Sequence, residues 1–369
     1  MKNIDLIRLI GIWFMVTAHI GATGLSELVS GQPLYLFLID GLSRLSSPVL
    51  GFISGYFAFR SVTTDGPARI IARKGRSLLL PFLLWSFIYV ALLTGVRLLE
   101  TGRLDLALFL SNEFWGLTAW PGNFPLHYLI DLFKCLMLAG AAFWLLSRFG
   151  IARGTALRII FGTAMLLFVV LTLADLNHEH PGRHRDDVLP RTDLVLFFFL
   201  GLAYAGASSD GIMKVADRPA VMLLLGVVFV ASSMIWADLL KHETGTLAYA
   251  LGVVLHFACR IAGGVLLFAL IQRLPTIGQA AGLAMRRLAF RIFVSHFIVF
   301  SALSSVIDLG PLMAASPLLF ILMFQVTFAL FAALMLALEG WIAAAMQLGR
   351  GQAAGRPSVL LNNAAARPR

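Results

Sequence analysis

Apolar runs of about 18 residues or more recur from one end of the chain to the other, and each is long enough to cross a hydrocarbon core about 30 Å thick as a helix. No other feature restricts the fold as strongly. Lipid offers no water to the backbone, so a spanning segment must satisfy its own N–H and C=O groups, as a helix does. Apolar residues make up 59% of the 369 residues and charged ones 13%, against about 25% charged in a soluble domain. A large soluble helical protein would show polar faces at helical spacing, and few segments here do. The sequence therefore predicts an all-α polytopic membrane bundle. Ten spans can be placed, at about 4–24, 34–58, 77–98, 126–147, 157–175, 192–208, 219–238, 247–271, 288–306 and 315–347. The N-terminal run reads as a retained helix rather than a cleaved signal, because Asp5 and Arg8 lie close to it and no A-x-A-like site follows.

An even number of spans puts both termini on one side, and the basic residues choose the side. With a cytoplasmic N-terminus, the basic stretches Arg60–Arg76, Arg148–Arg158, Lys214–Arg218 and Arg273–Arg291 are internal. So are Arg350, Arg356, Arg367 and Arg369 near the C-terminus. The external connections hold only Arg97, Arg103, Arg183, Arg185, Arg191 and Lys241. Both termini are expected in the cytoplasm. A membrane domain over 1–348 precedes a Gly/Ala/Arg/Pro-rich tail, 349–369, expected to be disordered. No internal repeat and no appended soluble domain is evident. The net charge of +10 is scattered between apolar segments, which fits membrane topology and argues against a nucleic-acid partner. Cys135 and Cys259 fall inside apolar segments and read as small buried side chains, with no disulfide framework or Cys-rich metal site.

Ionisable residues inside a span are expensive and are functional candidates by default. Arg8 and His19 lie eleven residues apart, close to three helical turns, so they share one face about 16 Å apart along the axis. Arg8 falls near the cytoplasmic end and His19 towards the outer half. A boundary anchor for Arg8 and a packing hydrogen bond for His19 are the structural alternatives. Asp40 with Arg44, and His127, Asp131 and Lys134, follow the same spacing rule, as do His256 and Arg260. Ion pairs that fix helix packing explain the Asp-containing sets as well as a site does. Interior basic groups outnumber acids, as suits a cavity for phosphates or a thioester oxyanion. His178, His180 and His184 cluster in an external loop at no strong metal spacing, and read better as solvated. Gly51 and Gly55 make a GxxxG, which permits close helix approach.

Taken in order, several of these segments resemble the bacterial acyltransferase-3 family of integral membrane proteins. Ile4 through His19 resembles its opening R-x10-H helix. Arg44-Leu45-Ser46-Ser47-Pro48 through Ser54-Gly55-Tyr56 is similar to its R-x-x-x-P-L-F-F-x-x-S-G-Y segment, and Arg73-Lys74-Gly75-Arg76 through Pro81 and Trp85 to the basic loop and P-x-x-x-W that follow. Pro125-Leu126-His127-Tyr128-Leu129 resembles the H-L-W-F-L entry to a central helix, and Ile292-Phe293-Val294-Ser295-His296 the late I-Y-L-x-H element. Gly51, Tyr128 and Ser295 depart from the family's usual residues.

The resemblance implies a bacterial inner-membrane enzyme. It would transfer an acyl group, acetyl or succinyl, from cytoplasmic acyl-CoA as co-substrate, with no bound cofactor or metal. The acceptor would be a hydroxyl of an exported or cell-surface polysaccharide or of its lipid-linked precursor, and a polysaccharide biosynthesis assembly is a candidate partner. His19 would serve as general base or transient acyl carrier, with Arg8 as the other catalytic candidate. Arg8, Arg44 or a loop arginine would balance the oxyanion or hold CoA phosphates. By location the cluster Arg69, Arg73, Lys74 and Arg76 suits the phosphates best. His127, Asp131, Lys134, Arg260 and His296 complete the candidate substrate-binding set. The alternative is a transporter or flippase for a lipid-linked sugar or small anion, which explains intramembrane charge but not the ordered motifs.

Overall fold

The computed structural model describes residues 2–20, 37–104, 107, 124–175, 192–207, 214–242, 246–306 and 310–354. His178, His180 and His184, residues 355–369 and the side chain of Asp40 lie outside that set. Among the described residues the chain is helical throughout, with no strand. The helices are α1 (Ile4–Ile20), α2 (Ser46–Thr64), α3 (Pro67–Lys74), α4 (Leu80–Thr101), α5 (His127–Arg148), α6 (Arg153–Asp175), α7 (Thr192–Gly206), α8 (Pro219–His242), α9 (Thr246–Arg273), α10 (Gln279–Val306), α11 (Gly310–Ala315) and α12 (Pro317–Ala354). Helix α12 therefore continues six residues beyond the 348 boundary drawn from composition.

Among the described residues, six stretches are long and apolar enough to cross a membrane: Pro67–Thr101, His127–Arg148, Arg153–Val170, Pro219–Trp236, Ala250–Arg273 and Pro317–Leu338, with a shorter apolar helix at Asp193–Gly206. Helices α1, α2 and α10 are not among them. Helix α1 has 17 residues, and α10 opens with Arg286, Arg287 and Arg291 in its first half. Side chains such as Leu84 and Phe87 on α4 and Leu223, Leu224 and Val227 on α8 are exposed and apolar, as a lipid-facing surface requires.

Proline and glycine set the local geometry. A wide turn at Gly75–Leu79 leads into α4 just before Pro81, whose nitrogen has no hydrogen to give the Ser77 carbonyl. The tight turn Ser43–Leu45 precedes Pro48 in the same way. Gly102, at φ 67°, ends α4 in the left-handed conformation that glycine adopts without cost. Between α2 and α7 the backbones touch. A Cβ on Gly55 would strike the Phe198 carbonyl and one on Gly201 the Phe52 carbonyl, while a Cβ on Gly51 would meet Leu194 and Phe197. The GxxxG is thus a packing device, and Gly201 is its counterpart on the facing helix.

Helix α1 is central. It packs on α10, α2, α12 and α9, and α2 in turn on α7 and α5. One buried cluster joins Val16 and Ile20 to Ile292, Phe324 and Phe328. A second joins α2 to α5, α6 and α7, and a third joins α1 and α2 to α8 and α9. Cys135 and Cys259 are free thiols, and both are buried.

Candidate active site

Helices α1 and α10 lie side by side and point the same way, and polar contacts tie them at two levels. At the first level, Asp5 accepts from Arg286 through both oxygens, Nε to Oδ1 and Nη2 to Oδ2 at 3.0 Å each, and from Arg8 Nη1 at 2.8 Å. At the second, His19 Nδ1 lies 2.8 Å from His296 Nε2. Fourteen residues separate Asp5 from His19 and ten separate Arg286 from His296, or about 21 and 15 Å of helix rise. The two levels are thus far apart along the bundle.

Asn3 fixes the start of α1 against the α9–α10 connection. Its amide nitrogen donates to the carbonyls of Ile271, Leu274 and Pro275 at 3.3, 3.4 and 3.0 Å. Its amide oxygen accepts from the Ile277 N–H at 2.9 Å. Asn3 takes a left-handed backbone, φ 52°, which asparagine tolerates better than most residues.

A cavity of about 660 Å³ opens between α1, α2, α5 and α10. Arg8, Lys74, Arg286, Arg287 and Arg291 line it together with Tyr128, over an apolar floor that includes Leu50 and Phe293. The Tyr128 and Ser54 hydroxyls are 3.1 Å apart. The Arg8 guanidinium also lies over the Phe57 ring, 5.6 Å from its centre. Neither His19 nor His296 lines this space. Phe293 does, three residues below His296, or about 4.5 Å of helix rise. The cavity thus ends about one helical turn short of the histidine pair.

At the pair, the His19 and His296 rings are parallel to within 3°. His296 is 1% exposed. Its Nδ1 sits 3.0 Å from the Ile292 carbonyl oxygen and 2.8 Å from that of Phe293, and Phe328 meets the ring edge-on. Gln325 of α12 donates to the Thr17 hydroxyl at 2.5 Å, two residues before His19.

The other residues singled out from the sequence fall elsewhere. Of the basic cluster, Lys74 lines the cavity. Arg69 and Arg73 turn to Asp65 at 3.7 and 3.3 Å, Arg73 also bonds the Ser61 hydroxyl, and Arg76 is exposed. Arg260 pairs with Asp193 at 3.0 Å, both side chains 9% exposed, and Asp193 also accepts from the Ser47 hydroxyl at 2.9 Å. Arg44 sits in the turn Ser43–Leu45, which packs on α1 and α9. His256 lies against Trp236, ring centres 4.4 Å apart. On α5, Asp131 is buried and holds Lys134 at 3.6 Å, and His127 begins the helix half-buried. Apart from Lys74, none of these lines the cavity. Among the described residues, no three His, Cys, Asp or Glu side chains come together as a metal site would need.

Three cavity residues, Arg286, Arg287 and Arg291, read from the sequence alone as part of a topology-setting basic stretch. One signal was present: Arg286 and His296 are ten residues apart, nearly repeating the Arg8–His19 spacing on the neighbouring helix.

Comparison with known proteins gives this arrangement a family. A stretch of 208 residues is 28% identical to the succinoglycan biosynthesis protein ExoH of Rhizobium meliloti (strain 1021). The match covers 54% of this chain and 50% of that protein, so the chain spans about half the length of the relative it matches. No solved structure matches. The family model described as an acyltransferase domain, Acyl_transf_3, matches residues 1–336, nearly the whole described bundle. The chain belongs to the acyltransferase-3 family of acyltransferases.

Proposed function

We propose that this protein sits in the bacterial inner membrane and moves a short acyl group, acetyl or succinyl, from cytoplasmic acyl-CoA to a polysaccharide hydroxyl. The observation that carries the proposal is the cavity in which Arg8, Lys74, Arg286, Arg287 and Arg291 converge. Cations gathered over an apolar floor suit a ligand that joins phosphates to a thioester arm. The same two helices, α1 and α10, carry the His19–His296 pair further along, so a donor held by its phosphates would extend its thioester towards His19.

The acceptor oxygen would attack the thioester carbonyl while His19 takes its proton. The tetrahedral intermediate would then expel the thiolate, which takes that proton from His19. An imidazole suits both transfers because its pKa lies near working pH. Support for an exopolysaccharide acceptor, or its lipid-linked precursor, comes from the relative's part in succinoglycan biosynthesis.

The ten-span topology with cytoplasmic termini belongs to the same proposal. It makes α1 the first span and α10 the ninth, which must run in the same direction, and a parallel α1 and α10 are what the two levels of contact describe.

Mass spectrometry of surface polysaccharide tests the proposal. A deletion strain should lose one acyl substituent, the wild-type gene should restore it, and His19→Ala should not. An unchanged polysaccharide in the deletion strain would overturn the assignment.

A further inference from the structure

We propose that His296 is a positioning residue that holds His19 in the tautomer carrying hydrogen on Nδ1, so that His19 presents the lone pair of Nε2 to the acceptor hydroxyl. The inference rests on His19 being the base.

Its starting point is what surrounds His296 Nδ1. The carbonyl oxygens of Ile292 and Phe293 lie 3.0 and 2.8 Å away, and a carbonyl oxygen only accepts. Nδ1 of His296 therefore carries the hydrogen. In a neutral ring that leaves Nε2 as the acceptor, and His19 Nδ1 lies 2.8 Å from it. The hydrogen between the rings then belongs to His19 Nδ1. A neutral imidazole has one N–H, so the basic nitrogen of His19 is Nε2. Two backbone carbonyls thus set the chemistry of a ring one helix away.

The surroundings hold this chain of donors in place. Ile292 and Phe293 are buried core residues of α10, and His296 itself is 1% exposed. Phe328 closes the ring edge, and Gln325 anchors Thr17 next to His19 on α1. When His19 takes the substrate proton on Nε2 it becomes an imidazolium. Its Nδ1–H bond to His296 becomes charge-assisted and strengthens. The contact is therefore worth more in the transition state than in the resting enzyme, which is the condition for raising kcat. In a serine-hydrolase triad a buried carboxylate orients the catalytic histidine. A neutral imidazole performs that task here without placing an anion inside the membrane.

Two substitutions separate this role from simple packing. His296→Leu fills space but offers no acceptor. His296→Gln can place an amide oxygen where Nε2 lies. Reconstituted in liposomes with labelled acyl-CoA, His296→Leu should lose about 10- to 150-fold in kcat, the worth of one hydrogen bond to a charged group, with KM for acyl-CoA unchanged. His296→Gln should recover most of that loss. Equal losses in both variants, or a wild-type kcat in His296→Leu while His19→Ala is inactive, would overturn the proposal. An active His19→Ala would instead overturn the reading on which it rests.

Because both variants can fail to fold, the wild-type protein supplies an independent test. Solid-state 15N NMR of the histidine-labelled chain in lipid bilayers, with His19 assigned by its loss in His19→Gln, should show His19 protonated on Nδ1 and bare on Nε2. Hydrogen on His19 Nε2 in the resting enzyme contradicts the proposal.

Discussion

Replacing Asp193 with alanine should destabilise the bundle more than any other single carboxylate deletion on α7 or α5. Asp193 Oδ2 receives Arg260 Nη1 at 3.0 Å and the Ser47 hydroxyl at 2.9 Å, while Oδ1 receives the Leu194 N–H at 2.8 Å. Both charged side chains are 9% exposed, so little solvent is present to compensate. Removing the carboxylate takes away the counter-charge that lies 3.0 Å from a buried guanidinium, and breaking a buried pair in this way costs about 3–5 kcal/mol. At about 1.36 kcal/mol per factor of ten, the folding equilibrium falls by between two and four orders of magnitude. The buried thiols Cys135 and Cys259 provide the assay. A thiol-reactive dye in detergent micelles reports unfolding as they become accessible. Asp193→Ala should melt well below the wild type. Asp193→Leu combined with Arg260→Met should regain most of the loss, because replacing both charges by apolar groups removes the desolvation penalty with them. An unchanged melting temperature for Asp193→Ala refutes the pairing. A double variant no better than the single one shows that charge is not the cause. If Arg260 served the donor instead, Arg260→Met would spare stability and abolish acyl-CoA binding.

Gly55→Leu and Gly201→Leu each drive a side chain into the facing backbone and should cost about 1–3 kcal/mol or more. Gly95→Leu, with open space around it, serves as the control in a comparison of folded yield by size-exclusion chromatography. Arg287→Gln and Arg291→Gln should each raise KM for acyl-CoA by about tenfold and leave kcat nearly unchanged, the pattern of uniform ground-state and transition-state binding. Raising the salt concentration should weaken donor binding to the wild type more than to either variant. Asn3→Ala removes the side-chain bonds to the α9–α10 connection and should lower stability by about 1–2 kcal/mol, measured by the same thiol assay.

Helical periodicity made part of the site legible, because it speaks about one helix at a time. Arg8 and His19 could be paired since both lie on α1, and Lys74 could be placed near a donor because it belongs to a basic stretch on the cytoplasmic side. Partners on other helices were invisible. Arg260 had no carboxylate in its own span, and Asp193 is 67 residues away in the chain. Arg69 and Arg73 matched the cavity arginines in charge and location, but Asp65 competes for them. Arg286, Arg287 and Arg291 stand at a helix end, where charge reads equally well as a topology signal. The same limit applies to glycine. Gly55 stood out through its spacing from Gly51, whereas Gly201 acquires meaning only from the carbonyl of Phe52 opposite it. The helical class was legible throughout because hydropathy depends on composition over a long window rather than on contacts.

Transfer itself is measured most directly with the purified full chain in liposomes, given acyl-CoA labelled in the acyl group and an exopolysaccharide or lipid-linked acceptor. The wild-type protein should move label to the glycan. His19→Ala should move none, and Arg8→Gln should do so only with a raised KM for the donor. Movement of donor or glycan across the bilayer without label reaching the glycan, or a wild-type rate from His19→Ala, would contradict the account.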